Sequence, residues 1–191
     1  MSGSSALQAV GAVEGKANLQ QPPGVSESCL QWFAVQTRYR FEKQVAAQLD
    51  HKNCEVYLPL LTERRTWSDR KQIVTTPLFP GYAFVHIDQS HSARRNVLQT
   101  AGLLGFVSFG GLVTAVPRKQ IENLQVLLQT KGVFSLHAFV HAGQRVRIRG
   151  GCLDGVEGIL MQHEKGRLVI SIESIQRSLA VEISGYELEI I

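Results

Sequence analysis

Long apolar runs are missing from this sequence. No stretch approaches the roughly 18 residues that a membrane-spanning helix needs. The N-terminus has neither a basic start nor an apolar h-region, so no signal peptide is expected and the chain reads as cytoplasmic, with no membrane partner. Cysteine is scarce: Cys29, Cys54 and Cys152 are an odd count, far apart, with no C-x-x-C pair. That argues against a disulfide framework and a zinc site, and leaves reduced thiols as the expectation. Catalytic signatures are absent too: there is no G-x-S-x-G, no H-E-x-x-H and no P-loop. The run Gly150-Gly151-Cys152-Leu153-Asp154-Gly155-Val156-Glu157-Gly158 is glycine rich. It lacks the Lys-Ser/Thr of a phosphate loop and falls between strands, so its glycines read as turn formers. His51, His86, His91, His137, His141 and His163 show no ligand spacing on a predicted helix. Cys152 has no base beside it in sequence. No catalytic residue, metal or cofactor is therefore predicted.

What is present is a soluble globular composition, 191 residues with 44% hydrophobic and 19% charged, suited to one domain or two small ones. The net charge of +4 is uneven. Up to Gln31 there is one Lys against two Glu, from Trp32 to Phe139 there are 13 basic against 7 acidic residues, and from Val140 onward 6 against 7. The excess positive charge sits on the middle segment. It is either a solvated face or a surface turned toward nucleic acid, joined to a near-neutral second module.

Residues 1–28 are rich in Gly, Ser, Ala and Gln with Pro22-Pro23-Gly24, and read as a disordered tail. Trp32 to Gln36 reads as a strand; Phe41, Val45 and Leu49 recur at helical spacing, with Asn53 a helix stop. Val56 to Leu60 is a second strand and Thr62 to Thr76, basic with Ser68-Asp69 in its middle, a protruding hairpin. Tyr82 to Ile87 is the third strand, residues 89–99 a helix, and Leu104 to Phe109 the fourth strand. Pro117 opens a helix whose buried face is Ile121, Leu124 and Leu128. The order β-α-β-β-α-β is a split βαβ unit of ferredoxin-like type. From Gly143 the pattern changes to short strands divided by glycines: Arg145 to Arg149, Val156 to Gln162, Leu168 to Ile172 and Leu179 to Ile183. About 50 residues of this kind suggest a small β-barrel. The expected class is α+β within α/β. Its parts are a tail over 1–28, a ferredoxin-like domain over 29–128, a linker over 129–139 and a barrel over 140–191.

The stretch Pro77-Leu78-Phe79-Pro80-Gly81-Tyr82-Ala83-Phe84-Val85-His86-Ile87-Asp88 carries most information. Pro80-Gly81 makes a turn into a strand. Ala83, Val85 and Ile87 share one face; Tyr82, Phe84 and His86 share the other. The first suffices for a core. The second is aromatic with polar tips, a composition that protein interfaces favour. Either a helix covers it or a partner does.

These residues carry a resemblance. Trp32-Phe33-Ala34-Val35-Gln36-Thr37, Glu42-Lys43-Gln44-Val45 and Leu78-Phe79-Pro80-Gly81-Tyr82-Ala83-Phe84-Val85 resemble the N-terminal domain of NusG-type transcription elongation factors. Gly143-Gln144-Arg145-Val146-Arg147-Ile148, then Gly151 to Leu160, is similar to the KOW motif, an SH3-like barrel, of the same family. The short linker and the G-x-L-x-G-V-E-G-I-L form look most similar to specialised RfaH and UpxY antiterminators. The resemblance implies docking on the β′ clamp helices of RNA polymerase through a patch including Phe79, Pro80, Tyr82 and Phe84. It implies a second contact, with the β-subunit gate loop, at Ala93-Arg94-Arg95-Asn96. The His-Thr-Thr-Thr run of RfaH-type proteins is absent there, so Arg94 and Arg95 would instead meet DNA. Arg38 and Arg40 match the region that touches the non-template DNA strand. The KOW loop, with Leu153 and Val156 where many relatives carry aromatics, would meet ribosomal protein S10 or Rho.

The function expected is a transcription elongation and antitermination factor, not an enzyme. It would bridge the polymerase cleft, suppress pausing or termination, and present a second partner through the KOW module. The alternatives are a housekeeping NusG, a ribosome-associated RNA-binding KOW protein, and a hydrolase using Cys152. The density of glycine and β-branched residues after Gly143 predicts strands there rather than a helical hairpin. The aromatic patch is accordingly expected to be open in the free protein.

Overall fold

The computed structural model describes residues 30–67, 70–130, 134–137, 139, 143–160 and 167–191. The expected tail, Ser68-Asp69, His141, His163 and parts of the expected linker lie outside the described residues. The chain forms two compact units: of the described residues, 30–59 with 79–118 make one, and 60–78 with 119–191 the other.

The first unit holds β1 (Gln31–Thr37), α1 (Glu42–His51) and β2 (Glu55–Tyr57). The hairpin strands β3 (Leu60–Trp67) and β4 (Arg70–Pro77) intervene in sequence and belong to the other unit. The first unit resumes with β5 (Tyr82–Ile87), α2 (His91–Leu98), β6 (Leu103–Phe106), β7 (Ser108–Phe109), β8 (Leu112–Val113) and β9 (Ala115–Val116). Its main sheet runs β2-β5-β1-β6, with β9 also on β1 and every pair antiparallel. This is the strand order of the split βαβ unit read from the sequence. The fourth strand differs from expectation: instead of one strand from Leu104 to Phe109, β6 ends at Phe106 and β7 turns back on β8 at Gly110-Gly111. Both glycines have positive φ, which lets the chain make a tight hairpin turn.

The register of β1 on β5 sets Phe33 opposite Val85 and Val35 opposite Ala83. These residues form the core with Val45 and Leu49 of α1 and Val97 of α2. Helical spacing put Val45 and Leu49 on one face, and both are buried. The same strands carry Trp32, Ala34 and Phe84 on the opposite face, and these are buried too. Both faces of the sheet centre are covered.

The second unit contains the β3–β4 hairpin, α3 (Arg118–Gln129), β10 (Phe134–His137), β11 (Gln144–Arg149), β12 (Glu157–Leu160), β13 (Arg167–Ile172), β14 (Arg177–Glu182) and β15 (Glu187–Ile190). Its sheet is antiparallel, in the order β10-β14-β13-β12-β11-β15. The four strands expected after Gly143 are present, with Met161 and Gln162 at the end of the second outside the described residues, and two further strands, β10 and β15, join them. One, β10, falls inside the segment expected to be a linker. The small barrel core comprises Val146, Ile148, Leu168, Ile170, Ile172, Leu179 and Val181. Gly158 is required by packing: a Cβ there would meet Leu168 and the Val169 carbonyl at 2.7 Å. No described helix is long and apolar enough to cross a membrane.

Candidate polymerase and nucleic-acid interface

The Pro80-Gly81 turn is built into the first unit by three hydrogen bonds. The Gly81 carbonyl accepts from Thr37 N–H at 2.9 Å, and Gly81 N–H donates to Glu42 Oε1 at 2.8 Å. Tyr82 N–H donates to the Phe79 carbonyl at 3.2 Å. Gly81 has φ +82, a conformation that glycine adopts without strain. Glu42 is buried at the start of α1, so its carboxylate ties the helix to the turn.

Beyond the turn, aromatic rings line one face of β1, β5 and β2. Phe79 meets Phe84 edge to face at 6.4 Å, and Phe84 stacks on Tyr57 at 6.3 Å. Trp32 meets Tyr57 edge-on at 6.4 Å and stacks on His86 at 4.7 Å. His86 Nδ1 lies 2.6 Å from Glu55 Oε2; a carboxylate only accepts, so the imidazole donates. The Tyr57 hydroxyl is buried with no hydrogen-bond partner among the described residues, and burial pushes its pKa well up, so it stays protonated. Sequence reasoning singled out the β5 residues but not Trp32 and Tyr57. Their contribution depends on β1 and β2 both pairing with β5, and that pairing brings them to the same face.

Two of the four residues expected to make the contact, Phe79 and Phe84, are buried. Phe84 is 0% exposed and Phe79 2%. Tyr82 is half-buried and Pro80 exposed, so of the four residues these two reach solvent, at the rim of the face.

Arg38 and Arg40 are exposed in the turn between β1 and α1, as their sequence position suggested. Arg95 is exposed on α2 and borders a shallow cleft with His91, Ser92, Asn96 and Gln99. Arg94 differs. It is half-buried, with its guanidinium 6.0 Å from the Phe33 ring centroid and its Nε buried. Arg94 is therefore partly a packing residue.

In the second unit, Leu153 and Val156 are each 1% exposed. Their side chains fill the barrel, and the loop shows solvent Cys152 and Asp154 instead. The loop is folded by Asp154, whose carboxylate accepts Gly150 N–H at 2.7 Å. The β11 cations face acids: Arg147 pairs with Glu157 at 2.7 Å, and Arg149 with Glu189 at 2.5 Å. Cys152 Sγ lies 3.1 Å from the Tyr186 hydroxyl. That hydrogen bond is the main cause raising the Tyr186 pKa, and a phenol held protonated does not act as a base toward the thiol.

A family model described as "Transcription termination factor nusG" matches residues 30–125, just over half of the 191. Curated relatives include transcription termination/antitermination proteins NusG. That of Lactococcus lactis is 28% identical over 169 residues, covering 83% of this chain and 91% of the relative. That of Borreliella burgdorferi is 24% identical over 179 residues, covering 83% and 97%. A solved structure described as "Domain interaction in Thermotoga maritima NusG" has a TM-score of 0.47 and 20% identity, covering 85% of this chain and 98% of that one. With the family model running from β1 into α3 and so covering the aromatic face and the arginine turn, the chain belongs to the NusG family.

Proposed function

We propose that the protein is a transcription elongation and antitermination factor that docks on the β′ clamp helices of RNA polymerase through the rim of the aromatic face. The observation that carries this reading is the array Trp32, Tyr57, Phe79 and Phe84 behind an exposed Pro80 and a half-exposed Tyr82. A rigid aromatic platform with a partly wet tyrosine at its edge suits a protein interface, because the ring contributes area at little entropic cost. The exposed Arg38, Arg40 and Arg95 suit the non-template strand, since guanidinium pairs with phosphate and stacks on bases. Arg94 and Arg95 lie where a gate-loop contact is expected. The factor suppresses pausing or termination by bridging the cleft, and tethers S10 or Rho through the exposed side of the KOW loop. The pairing of Arg147 and Arg149 with Glu157 and Glu189 leaves that module poorly suited to RNA phosphates, against a ribosomal RNA-binding role.

An operon-specific role of RfaH or UpxY type is the form we favour, on the KOW sequence pattern. A housekeeping role is the second reading, favoured by the names of the curated relatives. Tyr82→Ala tests the docking surface. Loss of an interface aromatic costs about 2 kcal/mol or more, roughly 30-fold in affinity. Full-length Tyr82→Ala is expected to lose that much polymerase binding with an unchanged circular dichroism spectrum. Undiminished binding would remove the assignment.

A further inference from the structure

Residues 38–41, Arg-Tyr-Arg-Phe, form the turn between β1 and α1. Arg38 N–H donates to the Gly102 carbonyl at 2.8 Å, and Phe41 N–H to the Arg38 carbonyl at 3.0 Å. Phe41 lies so close to Gly102 that a Cβ there would come within 2.8 Å of its ring. The turn is thus held at both ends. Between these anchors Tyr39 is 69% exposed, among the most exposed large apolar side chains described. The Arg40 guanidinium sits 5.4 Å from its ring centroid. Arg40 has φ +67, a left-handed conformation disfavoured for any residue with a side chain. No carboxylate faces this turn from residues 37–41, and the next one, Glu42, is buried on Gly81 N–H.

A solvent-facing ring on an anchored turn, flanked by cations, has the chemistry of a single-strand nucleic-acid platform: every base offers a π face, and the adjacent arginines meet its phosphates. We propose that Tyr39 stacks on an unpaired base of the displaced DNA strand, with Arg40 held beside the ring and Arg38 on the flanking phosphate. The inference rests on the reading of this face as one that meets the non-template strand, and adds a base contact to the phosphate contacts. The exposed ring favours this occupant over an acidic protein segment, which would use the arginines but not require Tyr39 between them.

The test uses full-length protein bound to an assembled RNA polymerase elongation complex. The displaced strand carries 5-iodouracil, whose photocrosslinking favours stacked aromatic side chains. Irradiation is expected to yield a DNA–peptide crosslink at Tyr39, retained in Tyr39→Phe. In Tyr39→Leu the crosslink per bound protein should fall by about tenfold. An equal yield from Tyr39→Leu, or a crosslink only when the label is in the nascent RNA, would overturn the proposal while leaving polymerase docking intact. Failure of the unsubstituted protein to join the complex would refute the docking reading, and the stacking proposal with it.

Discussion

The Glu42 carboxylate accepts the Gly81 N–H at 2.8 Å across 39 residues of sequence, joining the first turn of α1 to the turn that opens β5. Glu42 is buried, so removing it strands an amide away from water. Glu42→Ala is expected to destabilise the protein by about 2 kcal/mol, the range for a hydrogen bond to a charged acceptor. Glu42→Gln keeps an acceptor oxygen and should lose less. Urea unfolding curves of the two variants check this; equal losses would mean that the negative charge, not the hydrogen bond, is what matters.

That relationship also marks the limit of sequence reading. Glu42-Lys43-Gln44-Val45 and Pro80-Gly81-Tyr82 were each legible as pieces of a pattern, and the alternation of Ala83, Val85 and Ile87 identified a core face that the sheet confirms. What periodicity does not encode is pairing across distance. Trp32 and Tyr57 join Phe84 because both neighbouring strands flank β5. Leu153 and Val156 looked like loop residues, yet the loop curls back so that both fill the barrel. The residues of strand β15 are all exposed, so periodicity has no buried stripe to mark it.

Phe84 separates structural from binding effects on the aromatic face. It is 0% exposed and contacts two rings, so Phe84→Ala should cost about 3–5 kcal/mol through lost transfer energy and a cavity. A thermal melt should show the loss directly. A melting temperature within a degree of the unsubstituted protein would mean that the ring is not packed as described.

The arginines should divide into two kinds. Alanine at Arg38, Arg40 and Arg95, all exposed, should reduce the salt slope of elongation-complex binding by about 2, at roughly 0.7 per phosphate contact on single strands. Arg94→Ala should instead lower stability, because its guanidinium lies over the Phe33 ring. Binding isotherms across a salt series, with a melt of each variant, check both. An unchanged slope in the triple variant would show that those side chains are merely solvated.

Cysteine reactivity should follow burial. Desolvation is the main influence on Cys54 and raises its thiol pKa, against smaller opposing effects of Lys52 and the Asn96 hydrogen bond. Only the thiolate is alkylated, so raising the pKa lowers the reactive fraction at any pH below it. Cys152 is exposed. Iodoacetamide at pH 8 should label Cys152 on the order of tenfold faster than Cys54, read site by site by mass spectrometry. Equal rates would contradict the burial of Cys54.

Asn123 offers the sharpest test of the second unit. Its side chain donates from Nδ2 to the Glu157 carbonyl at 2.9 Å and accepts the Glu157 N–H through Oδ1 at 3.3 Å. One buried amide thus satisfies both backbone groups at the start of β12, as a neighbouring strand would. Helical periodicity marked Ile121, Leu124 and Leu128 as the inward stripe of α3, and offered no reason to bury an asparagine between them. The bond supplies the reason. Asn123→Leu removes both partners and leaves a donor and an acceptor unmet, at a cost of about 1–3 kcal/mol. Asn123→Asp keeps the acceptor but sets a carboxylate against the Glu157 carbonyl, so it should be at least as damaging near neutral pH. Hydrogen exchange locates the effect. The Glu157 amide should lose protection in Asn123→Leu, while amides of β5 in the other unit keep theirs. Unchanged protection at Glu157 would mean that α3 does not hold the strand through this side chain.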